Sequence, residues 1–219
     1  APEGDPRYKT MELIAEKVEE RTDGEVKIKV HPNYSIGTER EFIEQTKMGV
    51  IDMALANPGG LSAFYKKWSV IDVPYLWPTQ RHLRAVVDGP IAEKWSKEMI
   101  KDQNMGLLGA FDRAPRNFIT DVRLVKSPED LKGIDVRVPG WPASLAAWKA
   151  FGVQPTQTAG SEQYMAFKTG VVDAIENPYT VFLHWGHYEI GKYISETEHV
   201  RQALLLVYNN DSWQSLSKE

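Results

Sequence analysis

Of the 219 residues, 42% are hydrophobic and 26% charged, a balance that supports a sizeable apolar core. No run of about 18 uninterrupted apolar residues occurs, the nearest being residues 202–208, so no segment reads as a membrane helix. Twenty-six Lys plus Arg against thirty Asp plus Glu leave a net charge of −4 with no basic block, which argues against nucleic acid as a partner; zero cysteines remove disulfides, thiolate metal sites and cysteine nucleophiles.

The chain opens on APEGDPRYK, without an initiator Met or a basic-then-apolar leader, and reads as a processed mature chain or a fragment. Asp5-Pro6 is a good helix start, and Met11, Ile14, Ala15 and Val18 place an apolar stripe on that helix before Gly24 stops it. Val26, Ile28 and Val30 alternate with Glu25, Lys27 and Lys29, the pattern of a half-buried strand. Thr38 and Glu41 form a capping box for a second helix that Gly49 closes, and residues 51–56 read as a strand.

The same grammar predicts helices over 79–88, 90–103, 142–151, 162–169 and 178–192, with strands near 105–111, 116–120, 134–138, 171–176 and 202–208. Strands separated by helices imply an α/β fold with a largely parallel sheet. An internal echo pairs Lys47-Met48-Gly49-Val50-Ile51-Asp52-Met53-Ala54 with Lys168-Thr169-Gly170-Val171-Val172-Asp173-Ala174-Ile175. Either helix–Gly–strand junctions simply look alike, or the chain forms two similar lobes with a cleft between them, where ligand sites concentrate.

Catalytic motifs are missing. Gly59-Gly60 lacks the spacing and the following Lys-Ser/Thr of a phosphate loop, and no GxSxG elbow accompanies the serines. His184 and His187 stand three apart beside Trp185 and Tyr188, with no Asp or Glu to complete a ligand set, so a packed aromatic patch is preferred over a metal. No cofactor is called for.

The best binding candidate is Arg137, in DLKGIDVRVPG, at the carboxyl end of an apolar strand where open α/β sheets place ligand crevices. Its planar donor fork matches a carboxylate; the alternative is an ion pair with a neighbouring acid. Arg116 opens the Arg116-Asn117-Phe118-Ile119-Thr120 strand, and Asn177 precedes Pro178 as a helix cap whose amide can also meet an anion.

The segments HPNYSIGTEREFIEQTKMGVIDMA, DVPYLW, SPEDLKGIDVRVPG and GSEQYMAFKTGVVDAIENPY, in this order, resemble the DctP-like substrate-binding proteins of tripartite ATP-independent periplasmic (TRAP) transporters across essentially the whole chain. The resemblance implies a type II-like bilobed α/β receptor with lobes joined by hinge strands: residues 1–114 as lobe I, 115–202 as lobe II and 203–219 returning to lobe I. It implies a periplasmic monomer, neither enzyme nor membrane-inserted, that closes on a small organic acid and delivers it to membrane permease subunits. In this family the Arg of the RVP block, here Arg137, makes the bidentate carboxylate contact, Asn177 of the ENP block meets the same end of the ligand, and Arg116 matches a second arginine although Ala114 replaces the family's leading Gly.

Glu39 and Asn57 fall where relatives touch substrate hydroxyls or amides, and discrimination between acids is expected around Glu39, Asn57, Trp77, Trp141 and Asn210. Trp141, Gly140 and Gly160 depart from the sialic-acid binders, which favours a smaller or flatter acid able to lie against an indole. Relatives also carry an opening strand and a long C-terminal part that this sequence lacks, so an intact mass above 24.8 kDa is expected. Two rivals share these features. A sensor domain on the same fold would sit beside a kinase rather than permease genes; an enzyme would need a general base near Arg137, where Glu39 and Glu176 are more simply pocket or helix-start residues.

Overall fold

The computed structural model describes residues 1–216. The first helix, α1 (Pro6–Arg21), starts as expected: the Asp5 side chain accepts from the Arg7 amide, with Pro6 in the first turn. Its apolar stripe is half-buried and none of its residues is fully buried. Residues 25–30 alternate between half-buried and exposed, yet among the described residues they join no ladder, so the expected strand there is an extended segment without a partner. α2 (Glu39–Met48) has the Thr38–Glu41 capping box and ends on Gly49 in the left-handed region, φ +72°, which favours glycine.

β1 (Met53–Ala56) leads into the single turn α3 (Pro58–Leu61), then α4 (Gln80–Val87) and α5 (Pro90–Gln103). β2 (Met105–Thr120) is one strand of 16 residues where two were expected. Pro115 does not break it, because the proline sits in an irregular stretch between the register pairs of Arg113 and Arg116, where a missing N–H costs no ladder bond. β3 (Val136–Val138), α6 (Pro142–Ala150), β4 (Thr156–Gln157), α7 (Gln163–Lys168) and β5 (Ala174–Asn177) follow. α8 (Tyr179–His184) is much shorter than the sequence pattern suggests, because Gly186 takes φ +73° and turns the chain. β6 (Tyr193–Asn209) and α9 (Asn210–Gln214) complete the described chain.

One six-stranded sheet runs β1-β6-β2-β5-β3-β4. It is mixed rather than largely parallel: β3 is parallel to β4 and β5, whereas β1/β6, β2/β6 and β2/β5 are antiparallel. The long pair β2 and β6 causes this, since the two strands run beside each other from Met105↔Asn209 to Thr120↔Tyr193 and form the spine of the molecule.

Separate cores lie along that spine. One contains Ile43, Leu61, Trp68, Leu83 and Met99 and takes Ala203, Leu205 and Val207 from β6. A second contains Phe118, Val136, Val138, Trp148 and Ala174, and a third covers Ile119, Phe167, Ile175 and Phe182. Adjacent residues Phe118 and Ile119 enter different cores because successive side chains in a strand face opposite ways.

The internal echo is structural. After α2 and after α7 the chain turns on a left-handed glycine, Gly49 and Gly170, each with φ +72°. The amides of Val50 and Val171 bond back to Gln45 and Ala166, five residues earlier, and each unit then enters a strand of the common sheet. The likeness extends past the segment legible in sequence, since β1 is followed by Asn57-Pro58 and β5 ends at Asn177, followed by Pro178.

Candidate functional site

A cavity of about 480 Å³ lies between the two parts of the molecule, within the range of small-molecule sites. Arg137 lines it and is 3% exposed. Val136 and Val138 enter the second core, so period-2 alternation turns Arg137 to the opposite face of β3, beside Ile175 of β5. Its Nε donates to Thr158 Oγ1 (3.1 Å), Nη2 to the Thr158 carbonyl (2.6 Å) and Nη1 to Gln163 Oε1 (3.5 Å). Three of the five guanidinium hydrogens are thereby used, leaving one on each terminal nitrogen. Arg137 makes no ion pair among the described residues; burial lowers its pKa to about 10, so it remains a cation at neutral pH.

Asn177 also lines the cavity, with Nδ2 donating to the same Gln163 oxygen at 2.8 Å. It is not the helix cap expected from sequence: Pro178 holds the N-cap position of α8, and Asn177 remains the last residue of β5. Asn57, by contrast, holds the N-cap position of α3. Its side chain makes no capping hydrogen bond there; Nδ2 donates to Glu39 Oε1 (2.6 Å) and Oδ1 accepts from Arg113 Nη1 (2.6 Å).

Arg116 lines the cavity but is engaged by an internal acid. It pairs with Glu176 through Nε and Nη2 and also donates to the Glu176 carbonyl (2.6 Å). His199 Nε2 stands 3.2 Å from the same carboxylate, and Thr197 Oγ1 stands 2.8 Å from the other ring nitrogen. Burial alone would raise the Glu176 pKa, but Arg116 and His199 outweigh it and hold the carboxyl well below the usual range. The expected second carboxylate contact at Arg116 therefore meets a competitor already in place.

Glu39 and Trp141 join the two sides of the cavity. Trp141 Nε1 donates to Glu39 Oε2 (3.2 Å), and the indole rests on the Gly59 backbone so closely that a Cβ there would lie 2.4 Å from the ring. The Arg116 guanidinium carbon stands 5.4 Å over the ring. Trp141 is 9% exposed and lines the cavity with its ring between Gly59 and Arg116. Tyr34 makes a second crossing: its hydroxyl packs against Gly160, and its ring meets Trp185 edge-on at 5.8 Å.

Of the sequence candidates, Arg137, Asn177, Arg116, Glu39, Asn57 and Trp141 come together around the cavity, as do Gly140 and Gly160. Trp77 and Asn210 do not line it. Trp77 packs on the first core with its indole N–H on the Ile71 carbonyl (2.9 Å), and Asn210 starts α9 with its amide on the Asn104 carbonyl (2.9 Å). His187 is fully buried, but beside Tyr164 and Phe182 rather than in the expected patch with Trp185 and Tyr188, of which Trp185 meets Tyr34 and Tyr188 is exposed; burial, then the Arg137 charge, lower the His187 pKa to about 4. Among the described residues no group of His, Asp and Glu could hold a metal.

Sequence reasoning missed Arg113, which lines the cavity next to Asn57. In a regular strand, residues three apart face opposite ways, so Arg113 and Arg116 would diverge. The irregular stretch at Ala114-Pro115 brings both to Gln202 Oε1, at 3.0 and 3.2 Å. A proline inside an otherwise continuous strand pattern was the available signal.

Two lobes on a shared pair of long strands, with a lined cavity between them, define a two-lobed α/β binding protein. The chain belongs to the bacterial extracellular solute-binding proteins, family 7 (DctP), whose family model matches residues 1–219. It is 32% identical over 206 residues to a solute-binding protein of Roseobacter denitrificans, covering 94% of this chain and 63% of that relative; a solved structure of that protein with bound L-galactonate superposes with a TM-score of 0.93. A TRAP periplasmic solute-binding protein of Chromohalobacter salexigens, solved with bound D-glucuronate, is 31% identical with a TM-score of 0.94, covering 99% of this chain and 72% of that one. The chain thus spans about two thirds of the length of the curated relatives it matches.

Proposed function

We propose that this chain is the ligand-capturing part of a periplasmic TRAP receptor, which takes a small organic acid of the sugar-acid class into the cavity and presents it to membrane permease subunits without altering it. The division into residues 1–114, 115–202 and 203–219 is part of this proposal; the last three positions lie outside the described residues. The observation that carries the reading is Arg137, a buried cation on the cavity wall with two idle hydrogens and no acid of the protein's own against it. Bringing a carboxylate there compensates a charge that folding has already desolvated. Asn177, held by the same Gln163, is placed to contact the same end of the acid.

Relatives solved with L-galactonate and D-glucuronate support the ligand class, since each offers one carboxylate and several hydroxyls. Glu39 and Asn57 provide hydroxyl partners on the opposite wall. The engagement of the acids supports capture without chemistry: Glu39, on the cavity wall, accepts from Asn57 and Trp141, and Glu176, outside its lining, is tied to Arg116.

The test is calorimetry over a sugar-acid panel. Removing one partner of a desolvated pair costs about 3–5 kcal/mol, so Arg137→Ala should weaken binding by roughly two to four decades. Arg137→Lys should be nearly as damaging, because an ammonium has no fork. Unchanged affinity in Arg137→Ala would reject the reading.

A further inference from the structure

The cavity wall holds a side chain that no motif in the sequence marks and that the contact of an acid with Arg137 leaves unused. Tyr34 lines the cavity, yet it comes from the turn before α2 and reaches across to the other side. Its ring stacks on Phe42 of α2 at 6.3 Å and meets Trp185 of the far side edge-on at 5.8 Å. The hydroxyl ends against Gly160, where an added Cβ would collide with it.

The backbone is strained to put the ring there. Asn33 and Tyr34 are consecutive non-glycine residues in the left-handed region, with φ +55° and +56°. The Asn33 amide bonds to the Ala1 carbonyl and the Ser35 amide to that of Pro32, both at 2.9 Å, and the Gly37 amide bonds to the Tyr34 carbonyl at 3.0 Å, so the turn is held in this conformation. Strain of this kind persists only where the surroundings impose it, and it collects at ligand sites.

The hydroxyl is a donor with no acceptor of the protein's own among the described residues. Burial, then Glu39, raise its pKa against the opposing charges of Arg7, Arg137 and Arg113, so it keeps its hydrogen at neutral pH. Gly160 lies in the same short loop as Thr158, which receives Nε and Nη2 of Arg137. The hydroxyl therefore stands at the end of the cavity where the carboxylate is held in the capture reading.

We propose that Tyr34 is a specificity-determining residue that donates its hydroxyl hydrogen to the oxygen on the carbon next to the captured carboxylate, so that the cavity prefers 2-hydroxy acids to their 2-deoxy counterparts. This rests on the capture reading above and narrows it. A 2-deoxy acid leaves the phenol without a partner, and a site built to bond a substrate oxygen rejects the analogue that lacks it.

The test is titration calorimetry of the full-length protein with matched acids: gluconate against 2-deoxygluconate, galactonate against 2-deoxygalactonate, and erythronate against 3,4-dihydroxybutanoate. The wild type should bind the 2-hydroxy acid of at least one pair about tenfold or more tightly than its partner. Tyr34→Phe keeps the ring and its stacking; it should weaken that 2-hydroxy acid by about tenfold and the 2-deoxy acid by no more than about threefold. Gly160→Ala pushes the hydroxyl off its seat without altering it and should narrow the same gap, which serves if the phenylalanine variant does not fold.

Equal wild-type affinity for the two members of every pair, no binding of any 2-hydroxy acid, or a gap that survives Tyr34→Phe, whether both members weaken equally or neither does, would overturn the proposal. Arg137→Ala, run in parallel, separates the two readings. Loss of both members of a pair supports carboxylate capture however Tyr34 behaves, whereas unchanged binding of both rejects capture itself.

Discussion

Asp72, buried against Gln202 of β6, is a single side chain from which a pH dependence of stability is expected. It is 1% exposed; Oδ1 accepts from Gln202 Nε2, and Oδ2 lies against the Gly59 backbone. Burial raises its pKa to about 6, and Gln202 and Arg116 offset only part of that shift. A carboxyl whose folded pKa lies above its unfolded value of 3.8 favours the folded state when protonated, and that contribution is lost as pH rises from about 4 through about 6. Asp72→Asn keeps an acceptor for Gln202 and removes the titration. It should therefore raise thermal stability at pH 8 by up to about 3 kcal/mol and leave it nearly unchanged at pH 4, as followed by unfolding midpoints at the two pH values. An equal gain at both would mean that the carboxyl does not titrate as its burial demands. Glu176, equally buried, differs because Arg116 and His199 bond to its charged form.

Among the elements, the junction between α3 and the start of α6 is tightly packed against the cavity. Gly59 faces the Trp141 ring, and an added Cβ would also lie 2.6 Å from Asp72 Oδ2. Gly59→Ala should push the indole away, break its bond to Glu39 and weaken acid binding about tenfold or more, with a stability loss of about 1–3 kcal/mol. Gly109→Ala, where nothing lies within 4 Å of the new Cβ, is the control and should bind as wild type; calorimetry on both variants checks this. Elements defined by local chemistry were legible in the sequence: the Thr38–Glu41 box, the Gly49 stop, the Pro90 helix and the Arg137 strand all stand where the pattern put them. What depends on distant partners was not. Residues 25–30 have the alternation of a strand but no neighbour, and α8 ends early at a glycine that the helical pattern concealed. Trp77 and Asn210 resembled pocket residues until their hydrogen bonds placed them on Ile71 and Asn104.

At the scale of the whole molecule, β2 and β6 hold two cores apart on one spine, while Trp141–Glu39, Trp141–Gly59, Tyr34–Gly160 and Tyr34–Trp185 bring their far sides together over the cavity. The two long strands are the shared connection between the two sides, and these contacts cross the cavity between them. The site belongs to neither lobe alone, since Glu39 and Asn57 come from one side and Arg137 and Asn177 from the other. The place of Arg137 on a strand end was legible because strand, proline and glycine mark it; for Arg113 the one signal was Pro115, and the orientation itself depends on the path of β2 beside β6. A crystal structure of the complex with the tightest-binding acid of the panel tests the central claim most directly. It should show carboxylate oxygens within about 3 Å of Arg137 Nη1 and Nη2, with Asn177 at the same end of the ligand. An acid bound elsewhere, or seated in the cavity with its carboxylate turned away from Arg137, would contradict the account.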